Sequence, residues 1–169
     1  MERHSVETIV RELNTAEVQY LIVGGLAVVA HGYVRFTADV DLVLDLDSGN
    51  VIRAIAAFDR LGYRPRAPVA LKEFADSEKR AQWVREKGLT VFSLYSPVHP
   101  ATEVDVFVEA PFDFDVAYRR AARVEVADGA TATFVGLEDL LRLKERAGRP
   151  QDVVDIEKLR SLGKERVDE

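Results

Sequence analysis

The sequence predicts an α+β (mixed α/β) fold, a mixed β-sheet flanked by helices, in one domain over residues 1–169. Short β-branched and aromatic runs alternate along the chain with segments of helical periodicity. Several of these runs are joined by short hairpin-type turns, which favour a mixed sheet over a purely parallel one. The chain has 169 residues, of which 47% are hydrophobic and 31% are charged, as is typical of one globular domain.

The first elements are predicted to be a helix, a strand and a short helix. Ser5 is the expected cap of the first helix, which ends near Asn14 and carries apolar residues at helical spacing. Residues 18–23 form a β-branched and aromatic run that is typical of a strand. Gly24 and Gly25 break this strand, and residues 26–31 are expected to form a brief helix.

Polar and apolar residues alternate over residues 38–46, which predicts a second strand. Successive side chains of a strand project to opposite faces, so Asp39 and Asp41 share one face. The intervening Val40 and Leu42 share the other face. Two carboxylates are therefore expected to lie side by side.

The middle of the chain is predicted to be mostly helical. Ser48 is the expected cap of a helix over residues 51–61, which Gly62 terminates. A short extended piece over residues 63–66 follows. Residues 67–87 are then expected to form one charged amphipathic helix.

Two strands are predicted next, over residues 89–95 and 102–108, joined by a turn over residues 96–100. Valines alternate along the second of these strands, and Glu103 and Asp105 face the opposite way from them. A third carboxylate is thus available from a later strand.

The C-terminal part, residues 124–162, is predicted to contain a hairpin and two helices. The hairpin strands flank Asp128 and Gly129, a typical turn pair. The first helix covers residues 137–147, and the second begins at Pro150 and runs to Leu162.

Composition excludes several classes of protein. The chain has no cysteine, so it has no disulfide framework, thiolate metal site or cysteine nucleophile. The longest apolar stretch, residues 20–30, is too short to span a bilayer, and no export signal is visible. We therefore expect a cytoplasmic protein that does not enter a membrane. The net charge is −6, but residues 39–47 and 103–115 hold nine acids and no base, which leaves +3 for the rest.

Two features together indicate phosphate and metal chemistry. Backbone N–H groups at Gly24 and Gly25 would be exposed at the start of a helix, where a phosphate is favoured. Asp39 and Asp41 with Asp105 would form an oxygen-only cluster suited to Mg²⁺. Two such ions can activate an attacking hydroxyl and stabilise a pyrophosphate leaving group.

These residues resemble the nucleotidyltransferase superfamily that includes DNA polymerase β, whose hallmark is a Gly-Gly or Gly-Ser turn, an Asp-x-Asp pair and a later third carboxylate. The resemblance covers residues 18–108, the core of the domain, and extends more loosely to the last helices. The segments at residues 24–27 and 31–41 look most like a small bacterial branch with abortive-infection AbiEii/AbiGii toxin-type proteins and antibiotic nucleotidyltransferases. The matching residues are Val23, Gly24 and Gly25, then Asp39, Val40, Asp41 and Leu42, then Val104, Asp105 and Val106.

The resemblance implies roles for the matched residues. Asp39 and Asp41 would bind divalent metal, and the triphosphate of an NTP would pass over Gly24 and Gly25. Asp105 would be the third metal ligand or the general base that deprotonates the acceptor hydroxyl.

Three further residues are candidates for phosphate contacts, each with a structural alternative. Arg35 and Thr37 precede the carboxylates. Arg35 is equally suited to an ion pair with the aspartate cluster, and the Thr37 hydroxyl is equally suited to holding its own loop. Lys144 interrupts the apolar stripe of the penultimate helix. It would reach nucleotide phosphates or form an ion pair with Asp152 or Asp155 that holds the last two helices together.

The resulting hypothesis is Mg²⁺-dependent transfer of a nucleoside monophosphate from an NTP to a hydroxyl of tRNA, a protein or a small molecule such as an antibiotic. The protein would act in a toxin–antitoxin or a resistance role, with a cognate partner protein or a second copy completing the acceptor surface. Many members of the superfamily place serine after the first glycine, whereas this chain has Gly25 followed by Leu26. The alternative is therefore a catalytically weak nucleotide-binding or toxin–antitoxin partner module with the same fold.

Residues 64–87 hold seven bases and four acids around Phe74 and Trp83. This pattern indicates either a solvated helix face or the border of a base or an RNA acceptor.

Overall fold

A seven-stranded mixed sheet forms the centre of the protein in a computed structural model, which describes residues 1–165. Residues 166–169 of the predicted domain lie outside this range. The strands are β1 (Tyr20–Val23), β2 (Asp39–Leu44), β3 (Arg64–Pro65), β4 (Val91–Tyr95), β5 (Glu103–Phe107), β6 (Ala122–Ala127) and β7 (Ala130–Phe134). The α-helices are α1 (Arg3–Thr15), α2 (Gly24–Ala30), α3 (Ser48–Arg60), α4 (Ser77–Lys87), α5 (Phe114–Arg119), α6 (Leu137–Ala147) and α7 (Pro150–Glu165).

The strand order is β3-β4-β5-β2-β1-β7-β6. Strand β2 runs antiparallel to β1 and parallel to β5, and β1 runs parallel to β7. The pairs β4–β5 and β6–β7 are antiparallel, the second closed by a turn in which Gly129 has φ +67°. The predicted α+β fold with a mixed sheet is confirmed.

Alternation along the strands decides which side chains enter the core. All four residues of β1 are buried, since it lies near the middle of the sheet. In β2 and β5, the aliphatic residues Val40, Leu42, Val104 and Val106 are buried, and the acids between them remain partly exposed. Helix α2 contacts both β2 and α6, and α6 packs against α7. These contacts bring the C-terminal helices to the strands that carry the acids.

Both predicted helix caps are wrong. Helix α1 begins before Ser5, whose buried hydroxyl instead contacts the ring of His99. Helix α3 begins at Ser48 itself and is capped by the preceding residue, Asp47, whose carboxylate accepts from the N–H of Gly49. The cap lies one residue earlier because an ionised acceptor satisfies the free N–H groups of a helix more strongly than a hydroxyl does.

The single helix predicted over residues 67–87 is also wrong. A 3-10 helix (Leu71–Ala75) is followed by α4, and Asp76 separates them by capping α4 with its carboxylate. Phe74 and Trp83 are buried against Phe92, with ring centroids 5.3 and 5.2 Å from it. Both rings therefore belong to the core and are not exposed for stacking on a base.

Helix α5 is a short element that was not predicted from the sequence. It begins after Asp113, whose carboxylate accepts from the N–H of Val116. Within residues 1–165, no helix combines the length and the apolar character needed to cross a bilayer.

Candidate functional site

The sheet register brings the predicted carboxylates together. Strands β2 and β5 are parallel neighbours, with Asp41 opposite Asp105 and Asp39 opposite Glu103. Paired residues of neighbouring strands point to the same face, and the strands are about 4.8 Å apart. The acids of two strands therefore form one patch on one face of the sheet.

The acids of this patch repel one another electrostatically. Burial, together with the charges of Asp105 and Asp39, raises the pKa of Asp41 to about 7 against the opposing effect of Arg149 and Lys144. Burial, Asp105 and Glu103 also raise the pKa of Asp39 above its usual value. A bound cation would stabilise the ionised form of both groups.

Glu103 and Asp105 share a face, but only one of them is directed to the candidate site. Glu103 forms an ion pair with Arg66 at the outer side of the sheet. Asp105 lines the cleft described below. The structure therefore favours Asp105 over Glu103 as the third acid.

Gly24 and Gly25 lie directly against the acidic strand. Gly24 has φ +65°, and a Cβ at this position would be 2.1 Å from Asp41 Oδ2. A Cβ on Gly25 would be 2.5 Å from Thr37 Oγ1. Helix α2 starts at Gly24, two residues earlier than predicted, so both glycines belong to its first turn. Their missing side chains permit this close approach.

Gly24→Ala is expected to destabilise the protein by about 3 kcal/mol, because the alanine would combine left-handed strain with an overlap onto Asp41. Urea unfolding followed by circular dichroism measures the change. Gly88→Ala is the matched control, since Gly88 has φ +60° and a Cβ there would meet nothing within 4 Å. The control isolates the backbone strain, about 1 to 2 kcal/mol. Equal losses in the two variants would show that Gly24 is not packed against Asp41.

One cleft of about 830 Å³ collects every site residue predicted from the sequence. This volume is in the range of ligand pockets in proteins. The predicted residues that line it are Gly24, Gly25, Arg35, Thr37, Asp39, Asp41, Asp105 and Lys144. They come from two strands, one loop and two helices that are far apart in the sequence, so their convergence is a property of the fold.

Lys144 belongs to a buried network of charges at one wall of the cleft. Its Nζ lies 3.0 Å from Asp152 Oδ1 and 2.7 Å from Asp155 Oδ2. All three side chains are almost fully buried. The ion pair proposed between the last two helices is therefore present. Because Lys144 also lines the cleft, a phosphate contact stays a prediction.

Arg35 joins the same network and does not pair with the aspartate cluster, which corrects one of the two readings above. Its Nη2 donates a hydrogen bond to Asp155 Oδ2 at 2.9 Å. Its Nε is 2.8 Å from Asp155 Oδ1, but the N–H is not aligned for a second bond. Arg35 therefore ties the loop before β2 to helix α7.

Sequence reasoning missed Arg149, which also lines the cleft. Its guanidinium donates to Asp152 at 2.8 Å, and its charge acts on Asp41. Its position between Gly148 and Pro150, where α6 ends and α7 begins, was the available signal. Arg35, Lys144 and Arg149 exceed Asp152 and Asp155 by one positive charge at this wall.

The donor set suits a hard cation. Carboxylate oxygens of Asp39, Asp41 and Asp105 are the ligands that Mg²⁺ prefers, and their charge is not otherwise neutralised. Within residues 1–165, no three His, Asp or Glu side chains lie close enough together to hold a metal ion by themselves. Mg²⁺ commonly binds through one or two carboxylates, waters and substrate phosphates, so the residues present fit such a site.

No family model matches the chain, and no curated protein matches it.

Proposed function

We propose that the protein is a Mg²⁺-dependent nucleotidyltransferase, which moves a nucleoside monophosphate from an NTP to a hydroxyl acceptor and releases pyrophosphate. The observation that supports it most is the register that sets Asp41 beside Asp105 on parallel strands. Gly24 lies against the same carboxylate, in a cleft with a cationic wall. Acids on one side and cations on the other are what a metal-bound triphosphate requires.

Asp39 and Asp41 are the residues that would hold Mg²⁺, which supplies charge neutralisation for the phosphates and the leaving group. Asp105 completes the metal site or accepts the proton of the attacking hydroxyl. Both roles are compatible with the position of Asp105, which lies opposite Asp41 on the neighbouring strand.

Gly24 and Gly25 line the cleft at the start of α2, and their lack of side chains lets Asp41 and Thr37 lie directly beside the backbone over which the phosphates would pass. Lys144 and Arg149 supply positive charge to the phosphates, and the carboxylates of α7 hold both cations in place. Arg35 also lines the cleft and would add positive charge there while it remains paired with Asp155.

A hydroxyl stands beside Gly25 although the chain lacks the serine found in many members of the superfamily. Thr37 Oγ1 would be 2.5 Å from a Cβ on Gly25, so it occupies the space into which a serine at that position would project. This observation favours the enzyme over the catalytically weak binding or partner module.

The acceptor is proposed to be a hydroxyl of tRNA, a protein or a small molecule. A cognate partner protein or a second copy of the chain would extend the short domain toward a large acceptor. The assay below includes each class.

The test incubates the full chain with each of the four NTPs, labelled at the α-phosphate, in Mg²⁺ with total RNA, lysate protein or an aminoglycoside. Label is expected on one acceptor class, and Asp39→Asn or a chelator should abolish it. Asp128→Asn is the matched control, since Asp128 is exposed in the β6–β7 turn and Asn-Gly is an equally good turn pair. Binding of Mg²⁺-NTP without labelling of any acceptor would establish the binding module instead. Absence of metal-dependent binding would refute both.

A further inference from the structure

Phe36 is a large apolar residue of the cleft that is mostly exposed. It belongs to the loop between α2 and β2, and 82% of its surface is exposed. It nevertheless lines the same cleft as the aspartates. A large aromatic ring left in water next to convergent polar groups is a typical ligand contact.

The backbone below the ring is held in place. Arg35 Nη1 donates to the carbonyl of Phe36 at 2.8 Å, and Arg35 is itself bound to the buried Asp155. The ring is thus open while its attachment is restrained. A ligand that covers it would order little beyond the ring itself, so most of the contact energy would be retained.

The short stretch of chain between Phe36 and the first acid keeps the two near each other. Phe36 precedes Asp39 by three residues, which span at most about 10 Å of chain. Phe107, the other phenylalanine of the cleft, packs against the core and offers less of its surface. The exposed ring therefore lines the same cleft as the proposed triphosphate position, a short stretch of chain away from the acids.

We propose that Phe36 is the platform on which the base of the bound nucleotide stacks. This inference rests on the proposed function, because it places the base of the same NTP whose phosphates lie at Gly24 and Asp41. Stacking on an aromatic ring tolerates every base, since each base has a π-face. Phe36 thus adds affinity for nucleotides and little selectivity among the four.

The test measures dissociation constants of the full chain in Mg²⁺ for two probes, a non-hydrolysable α,β-methylene NTP and inorganic tripolyphosphate. Phe36→Ala is expected to weaken NTP binding by roughly 5- to 100-fold and to leave tripolyphosphate binding unchanged. Phe36→Trp should retain NTP binding, and its new indole emission should be quenched by the NTP but not by tripolyphosphate.

Val34→Ala is the matched control, because Val34 is equally exposed, at 82%, in the same loop but is not part of the cleft lining. It should bind both probes as the wild type does. Equal NTP binding by Phe36→Ala and wild type would overturn the inference and leave the proposed function standing. A loss shared by both probes, or by Val34→Ala, would also overturn it, since the loop and not the ring would then be responsible. If wild type binds neither probe, the proposed function fails as well.

Discussion

Asp41→Asn is expected to lower nucleotidyl transfer by about 1,000-fold or more and to make the ligand-free protein more stable. The activity falls because an amide is a poor Mg²⁺ ligand and the remaining acids cannot balance the charge of the metal-bound triphosphate. Asp41 is also the acid in contact with Gly24, where the triphosphate is proposed to pass.

The stability gain has a separate cause, which is the free-energy cost of ionising Asp41 in a desolvated position beside two other acids. The native pKa of about 7 exceeds the usual 3.8, so folding takes up a proton between these values. Stability contributed by the protonated form is lost as the pH rises through about 7. At pH 8 the asparagine should therefore stabilise the protein by up to about 4 kcal/mol, and below pH 4 it should have almost no effect.

Thermal unfolding at pH 4, 6 and 8 without metal measures this difference, and labelled-NTP transfer measures activity. Asp128→Asn again serves as the control and should change neither. Wild-type activity in Asp41→Asn would contradict the assignment of the site. A stability gain that does not grow with pH would contradict the electrostatic explanation.

Lys144→Met is expected to destabilise the protein by about 3 to 5 kcal/mol. Methionine has a similar length but leaves Asp152 and Asp155 buried, at 1% and 0% exposure, without their shared cation. Burial alone would raise the pKa of Asp152, but hydrogen bonds from Arg149 and Lys144 lower it to about 2. This stabilisation is present above pH 4 and is lost as the pH falls toward 2, so the variant should also unfold at a higher pH.

Urea unfolding measures the loss, with Arg142→Met as control. Arg142 is on the same helix but is exposed, and its ion pairs with Glu138 and Asp139 span 3.8 and 3.7 Å. Asp139 keeps a shorter bond from Arg120, at 2.7 Å, so removal of Arg142 should cost less than about 1 kcal/mol. The double variant with Asp152→Asn should recover part of the stability. If Lys144→Met unfolds like Arg142→Met, the buried network does not hold α6 to α7.

The alternation of polar and apolar residues along the strands made the three acids of the candidate site predictable. Asp39, Asp41 and Asp105 could be placed on strand faces because the side-chain period of a strand is two. That β2 and β5 are parallel neighbours is a matter of tertiary packing, which no local pattern determines. Lys144 stood out as a charge in an apolar stripe, but its partners depended on how α6 and α7 pack.

The predictions that were wrong involve competition between neighbours or single residues. Asp47 outcompetes Ser48 as a cap, and Asp76 starts a new helix where residues 67–87 looked continuous. Arg149 and Phe36 were missed because an isolated residue in a turn or loop has no periodicity to mark it.

The close approach of Thr37 to Gly25 limits which residues can occur together at positions 25 and 37. Side chains at both positions would occupy one volume, because a Cβ on Gly25 would also lie 2.9 Å from Thr37 Cβ. Any relative with this backbone that carries serine at position 25 must therefore have a smaller residue at position 37. A hydroxyl at either position would lie in the same space. We therefore expect a serine at position 25 to be accompanied by the loss of threonine at position 37.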